Sequence, residues 1–306
     1  MKRGILFFAF LGIFSCSNNP YGEFPEGDVL LTYMGSDPKT LDPIRVGDTS
    51  SNGIASNIHD TPYEYHYLRR PLELIPSMAV SMPILSRRVY KNQQYSAFRF
   101  SIKKNLRYMD DVCFSEGRGR EIKIDDLILS IKRAADTSLN PFGYPLLSGK
   151  VLGFDEYSAS IEKKKAELQK NPDHHISELF QDDIPGVRKL DDYTLELLLT
   201  EDYPQIIYFF SLTISSPTAA ECLDYYNGKN GRPLYDRHPA SSGAYYLDEW
   251  HANYRIVLKR NPNYRKDDFY PSEGNPGDEK LGLLDLKGRS LPIMDEFRFQ
   301  IIQTGP

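Results

Sequence analysis

Cysteine is scarce in this chain of 306 residues: there are three, Cys16, Cys113 and Cys222, and no Cys-x-x-Cys. The six histidines, at positions 59, 66, 174, 175, 238 and 251, include no pair at helix-face spacing. The usual zinc arrangements are therefore missing, and no metal or other cofactor is expected. Positive charge is not in excess either, with 37 Lys and Arg against 42 Asp and Glu and a net charge of -5. That balance argues against a nucleic-acid partner. A phosphate-cradling glycine loop is lacking. Ser241-Ser242-Gly243 lacks the Gly-x-Ser-x-Gly frame of a nucleophile elbow. The carboxylate pairs Asp110-Asp111, Asp125-Asp126 and Asp191-Asp192 are adjacent in sequence, so their side chains diverge and do not form an acid/base pair. Hence no enzyme is expected. No segment repeats at a fixed period. The apolar run Ile5 to Ile13 is too short to span a bilayer as a helix.

What is present begins with that run. Lys2 and Arg3 precede it and Ser15-Cys16 follows, which reads as an export signal over residues 1–15. Ile13-Phe14-Ser15-Cys16 resembles a bacterial lipoprotein box, with Phe14 bulkier than usual. The resemblance implies lipid attachment at Cys16 and a membrane partner. The other reading is an ordinary signal with an incidental cysteine. Residues 16–28, rich in Ser, Asn, Pro and Gly, read as a tether. In an oxidising compartment Cys113 and Cys222 either pair or remain two separate buried thiols. Tyrosine is abundant, 21 residues against a single Trp. It suits half-wet clefts, and it equally suits β-strands.

The organising stretch is Gly119 to Asp136. Ile124, Leu127, Ile128, Ile131, Ala134 and Ala135 recur at helical spacing, with Asp125 and Asp126 in the first turn and Lys132 and Arg133 late. Phe98, Phe100 and Ile102 alternate with Arg99, Ser101 and Lys103, a half-buried antiparallel strand. Val29 to Met34 reads as a strand and Tyr157 to Lys170 as a charged, solvated helix. Ile54 to Leu68 starts as a helix and is broken by Pro62.

Several segments, in shared order from Val29 to Ile302, resemble the family 5 extracellular solute-binding proteins, the peptide-binding components of ABC importers. They include Asp37-Pro38-Lys39-Thr40-Leu41-Asp42-Pro43, Ile124-Asp125-Asp126-Leu127 with Ser130-Ile131-Lys132-Arg133, Gly186-Val187 through Asp191-Asp192-Tyr193-Thr194-Leu195, and Ile256-Val257-Leu258-Lys259-Arg260-Asn261-Pro262-Asn263-Tyr264. Two departures stand out. Lys123 replaces the usual capping Thr, and Asp111 replaces a usual Gly.

The resemblance implies an α/β fold of the periplasmic-binding-protein type II kind. A first lobe with a mixed β-sheet (29–55 and 185–306) would carry an inserted α+β satellite domain (56–184), with the strand at Leu291 to Phe299 starting the second lobe. Because members are much longer, the second lobe is expected to be absent, the sequence being a fragment, a truncated product or one half completed by a partner. Function is expected to be binding of oligopeptides or dipeptides in an interlobe cleft and delivery to an ABC permease. The alternative is a membrane-tethered interaction lipoprotein that has lost transport. Carried over by position, the cleft edge includes Gly47, Asp48 and Thr49. It also includes Phe142, where members often have Tyr, together with Tyr144, Ser242 and Gly243.

Overall fold

The computed structural model describes residues 27–168, 170–171, 174–227 and 234–302. The signal segment, Cys16 and nearly all of the tether lie outside them. In chain order the strands and helices are β1 (Val29–Met34), α1 (Thr49–Ile58), β2 (Tyr63–Tyr65), β3 (Leu74–Pro76), β4 (Ile84–Tyr90), β5 (Gln93–Ser101), α2 (Ile124–Ala134), α3 (Tyr144–Leu147) and α4 (Phe154–Leu168). After these come β6 (Val187–Asp191), β7 (Thr194–Leu199), α5 (Ile206–Phe209), α6 (Ala220–Asn227), β8 (Tyr245–His251), β9 (Arg255–Arg260) and β10 (Glu296–Ile301).

Two four-stranded sheets result. One has the order β1-β10-β9-β8, with β1 parallel to β10 and the other pairs antiparallel. The other is wholly antiparallel in the order β4-β5-β7-β6. In β5 the expected alternation holds: Phe98 and Phe100 are buried, while Arg99 and Ser101 are half-buried. β7, central in its sheet, is covered on both faces. Leu195, Leu197 and Leu199 enter the main core, and Glu196, 1% exposed, lies on the other face. Arg88 and Arg188 each reach the Glu196 carboxylate at 3.0 Å, so this buried anion is paired.

Helix α2 forms where its apolar spacing places it. Ile124, Leu127, Ile131 and Ala134 are buried against sheet two. Lys123 offers no cap, and the Asp126 carboxylate takes over by accepting the Lys123 amide at 2.9 Å, the reciprocal half of a capping box. The late cation Arg133 serves a tertiary purpose as well as the helix dipole. It is buried and grips Asp42 with two bonds of 2.9 and 2.6 Å. The proline-rich turn at residues 37–43 is thereby locked to the main core.

Two expectations can be set beside the sheets. The division at 184/185 does not follow them, because β6 and β7 hydrogen-bond to β5 and so continue the sheet begun at β4. The strand expected at Leu291 to Phe299 is β10 (Glu296–Ile301), which lies between β1 and β9. Cys113 and Cys222 form a disulfide, which settles their open pairing.

Two apolar clusters follow the two sheets. The larger one joins sheet two, α2, α4 and residues from the 206–240 region. The smaller one lies between sheet one and α1, through Leu41, Ile54, Ile58, Tyr245, Ile256, Leu258 and Ile301. Helix α1 therefore runs along the junction of the two.

Candidate ligand-binding cleft

The site is built from the first turn of α1. Asp48 has extended backbone (φ -126°), and its carboxylate accepts the Ser51 amide at 3.0 Å and the Ser51 hydroxyl at 2.7 Å. Burial alone would raise the Asp48 carboxyl. The Ser51 hydrogen bonds outweigh it and hold the group below the usual carboxylate range. Ser51 is itself buried and accepts the Lys39 amide at 2.9 Å, which ties the helix start to the proline-rich turn. The sequence reading began this helix at Ile54 and so missed its first turn. The signal was there: Asp48, then Ser51, then Ile54, Ala55 and Ile58 at helical spacing.

Beside this turn lies a hollow of about 330 Å³. Gly47, Asp48, Thr49 and Asn52 form one wall, and Phe142, Leu212, Thr213 and Ile214 form the other. Four of the expected ligand residues, Gly47, Asp48, Thr49 and Phe142, thus share one cavity. Phe142 is 64% exposed. The next residue, Gly143, lets this wall close: a Cβ there would stand 2.7 Å from the Ile214 methyl.

At the other end of α1 a second hollow, of about 300 Å³, is lined by Asn57, His59, Asp60, Glu64, Thr213 and Gly243 among others. Thr213 lines both hollows, and its hydroxyl sits 3.1 Å from the Asn52 side-chain oxygen. The two hollows adjoin at Thr213, and together they are called the trough. Gly243 lines the second hollow because its amide bonds to the Ile58 carbonyl at 2.9 Å. A Cβ on Gly243 would fall 2.7 Å from the Asn57 carbonyl oxygen, so the close approach requires glycine. Ser242 is buried and turned inward, its hydroxyl accepting the Asp60 amide at 3.0 Å. It shapes the wall from behind. Tyr144 is not brought to the trough; its ring packs tilted against Phe154 at 5.7 Å, against the main core.

Sequence reasoning missed Asp60 and Glu64, which line the second hollow, and Arg265, which pairs with Asp60. Arg265 is deeply buried and lies 3.1 Å from Asp60, 3.2 Å from Asp268 and 3.9 Å from Glu64. Burial, with Asp60 beside it, pushes the Glu64 carboxyl up to about 7; Asp268 adds to the rise and Arg265 opposes it. Burial pushes the His59 imidazole down to about 4, against the opposing pull of the Leu41 carbonyl and Asp42. His59 is therefore neutral at ordinary pH. These groups come from segments some 200 residues apart, which no local pattern could join. Among the described residues no cluster of His, Cys, Asp or Glu could hold a metal ion.

The model of the bacterial extracellular solute-binding proteins, family 5 Middle, matches residues 74–305. This chain belongs to that family. Family 5 relatives include the periplasmic oligopeptide-binding protein OppA of Escherichia coli (strain K12), 26% identical over 243 residues, 78% of this chain and 37% of that protein. The peptide transport periplasmic protein SapA of Salmonella typhimurium is 22% identical over 221 residues, 69% of this chain and 32% of that protein. Among solved structures, the pheromone receptor PrgZ matches with a TM-score of 0.60 at 18% identity over 91% of this chain and 44% of that one. Listeria monocytogenes OppA bound to peptide gives 0.60 at 16% identity, again over 91% of this chain, and 43% of the other. This chain is thus an exported family 5 protein with the fold of the periplasmic peptide-binding proteins. It spans less than half the length of each of these relatives.

Proposed function

We propose that this protein is a lipid-anchored solute-binding component of an ABC importer, and that it takes oligopeptides or dipeptides along the trough beside α1. The observation that carries the reading is the gathering of Gly47, Asp48, Thr49 and Phe142 around one hollow, with Gly243 in the hollow that adjoins it at Thr213. An extended peptide needs exposed polar groups along its length and roomy pockets for its side chains. The trough supplies both, with an exposed aromatic ring at one end and a polar chamber at the other. The second half of the grip is a facing lobe, from the same polypeptide or a partner. The Cys113–Cys222 disulfide suits an exported protein. Lipidation at Cys16 would hold the binder next to its permease.

Two measurements test this. Mass spectrometry of protein purified natively from its own host should recover bound short peptides. An empty protein that also fails to bind a random peptide pool contradicts the reading. Separately, Cys16→Ala should move the protein from the membrane fraction to the soluble exported fraction; retention in the membrane contradicts lipidation there.

A further inference from the structure

The connection from β9 to β10 occupies residues 261–295, far more than two neighbouring antiparallel strands need. Its outer part is tied down. Phe269 pairs with Ser290 as an isolated β-bridge, the Tyr270 amide donates to the Arg289 carbonyl at 2.8 Å, and the Tyr270 hydroxyl donates to the Leu283 carbonyl at 2.9 Å. The shorter loop between β2 and β3, residues 66–73, is stapled against it. Arg69 pairs with Glu273 at 2.8 Å, the Asn275 side chain donates to the Leu68 carbonyl at 2.7 Å, and the Tyr67 and Tyr270 rings meet edge to face at 5.7 Å. Together the two loops form a ridge. Tyr67, Leu72, Phe269, Leu281 and Leu283 are all exposed on them, Leu281 to 74%. Large apolar side chains held out to solvent on one pair of loops mark an interaction surface.

The position of the ridge argues for one occupant. The chain enters sheet one at its foot: the Asp28 amide donates to the Asp295 carboxylate at 3.1 Å, and the Asp295 amide donates to the Asp28 carbonyl at 2.8 Å. Ser290, at the root of the ridge, is five residues from Asp295 and so within about 18 Å of it. Cys16 stands eleven residues before Gly27, a reach of up to about 40 Å. A bilayer that holds a lipid on Cys16 is therefore within reach of the ridge. Strand β10 runs away from this end of sheet one and leaves it at Ile302, beside Met34. A lobe continued from β10 thus joins at the far end. The composition also fits a headgroup layer. From Glu279 to Arg289 three cations, Lys280, Lys287 and Arg289, stand against two carboxylates, although the whole chain is -5. A cation beside an exposed leucine can reach lipid phosphate while its stem stays with the apolar layer.

We infer that this ridge is a second membrane contact. Leu281 and Leu283 enter the boundary between headgroups and acyl chains of the bilayer that holds Cys16, with Lys280, Lys287 and Arg289 at the phosphates. The inference rests on the lipid-anchored reading above and deepens it. The anchor supplies the effective concentration, and the contact fixes which face of the binder meets the membrane. Glu64 and Tyr65, which line the second hollow, immediately precede the 66–73 loop, so this end of the trough is the one held toward the bilayer.

The test supplies the anchor chemically. With Cys113 and Cys222 joined, Cys16 is the one free thiol of the full chain, and it is coupled to a maleimide phospholipid in vesicles of phosphatidylethanolamine and phosphatidylglycerol. Leu281→Trp and Val89→Trp proteins, each checked by circular dichroism, are compared with wild type in vesicles with and without brominated acyl chains. Val89, 72% exposed on β4, is the control. Quenching of the added indole, read above the Trp250 baseline of wild type, should be at least threefold greater at 281 than at 89. Adding Leu283→Asp and Leu72→Asp to the Leu281→Trp protein should cut it at least threefold. Quenching at 281 that fails to exceed that at 89 threefold overturns the contact. Quenching that survives the two Asp substitutions overturns its assignment to the apolar ridge. A dimer of the free protein in sedimentation, dissolved by the same two substitutions, assigns the ridge to a second copy and overturns the membrane contact. Because coupling provides the anchor, these outcomes stand apart from lipidation in the cell, which the fractionation of Cys16→Ala tests by itself.

Discussion

The two sheets have four strands each and bury them very differently. Sheet two carries a central strand covered on both faces, and its core continues without a break through α2 and α4. Sheet one is covered by α1 through a short set of contacts. Phe297, Phe299 and Trp250 are only half-buried there, and Tyr33 on its edge strand is 73% exposed. The difference separates two tasks. Sheet two supplies the cooperative mass that holds the fold. Sheet one and its helix present the trough, at the junction where the apolar core thins and polar groups remain open to a ligand.

The largest expected contrast is between aromatic truncations in the two sheets. Phe98 is fully buried and packs on Phe100 at 5.9 Å and Phe210 at 5.5 Å. Phe98→Ala should cost about 4 kcal/mol in urea denaturation. Phe297→Ala, half-buried on sheet one, should cost roughly half of that, scaled by the apolar area removed. Equal losses would break the distinction. Next comes the clasp between the regions. Arg133→Met leaves the Asp42 carboxylate buried and unpaired, which should cost about 3 kcal/mol, and adding Asp42→Asn should restore part of it.

Gly243→Ala drives a methyl into the α1 C-terminus and should cost about 2 kcal/mol, in the range of overpacking, while weakening any ligand held in the chamber. The smallest effect is pH-dependent. The Glu64 carboxyl, faced by Asp60, Arg265, Asp268 and Ser77, sits at about 7 in the folded chain and about 4.3 when unfolded. Between these values the folded state holds a proton that the unfolded state has lost, so stability falls as pH rises through the window. Glu64→Gln removes that slope. It should stabilise the folded state more at pH 8 than at pH 5, by on the order of 1 kcal/mol in urea denaturation, with the partial exposure of Glu64 holding the effect to that size.

The scaffold was largely legible in the sequence because its signals are local. The alternation at Phe98, Phe100 and Ile102 and the helical stripe from Ile124 to Ala135 each report a buried face directly. The boundary at 184/185 was not, since pairing of β7 with β5 is a long-range event that a strand's own residues do not announce. Half of the trough was reached through resemblance, by position rather than by chemistry: Gly47, Asp48, Thr49 and Phe142 meet at one hollow. Tyr144 lies against the main core instead, and an aromatic beside a cleft and an aromatic under it look alike in sequence. The charged chamber escaped altogether. Arg265 and Asp60 are distant in the chain, and each reads alone as an ordinary surface charge.

Hydrogen exchange measured with and without a saturating short peptide tests the central claim most directly. Protection should rise at residues 47–52, 57–64, 211–214 and 242–244, around the trough, with β4 to β7 unchanged. Protection confined to the face of sheet two, or no change beside α1 under conditions where the peptide is bound, would contradict a ligand cleft at the junction of the two sheets.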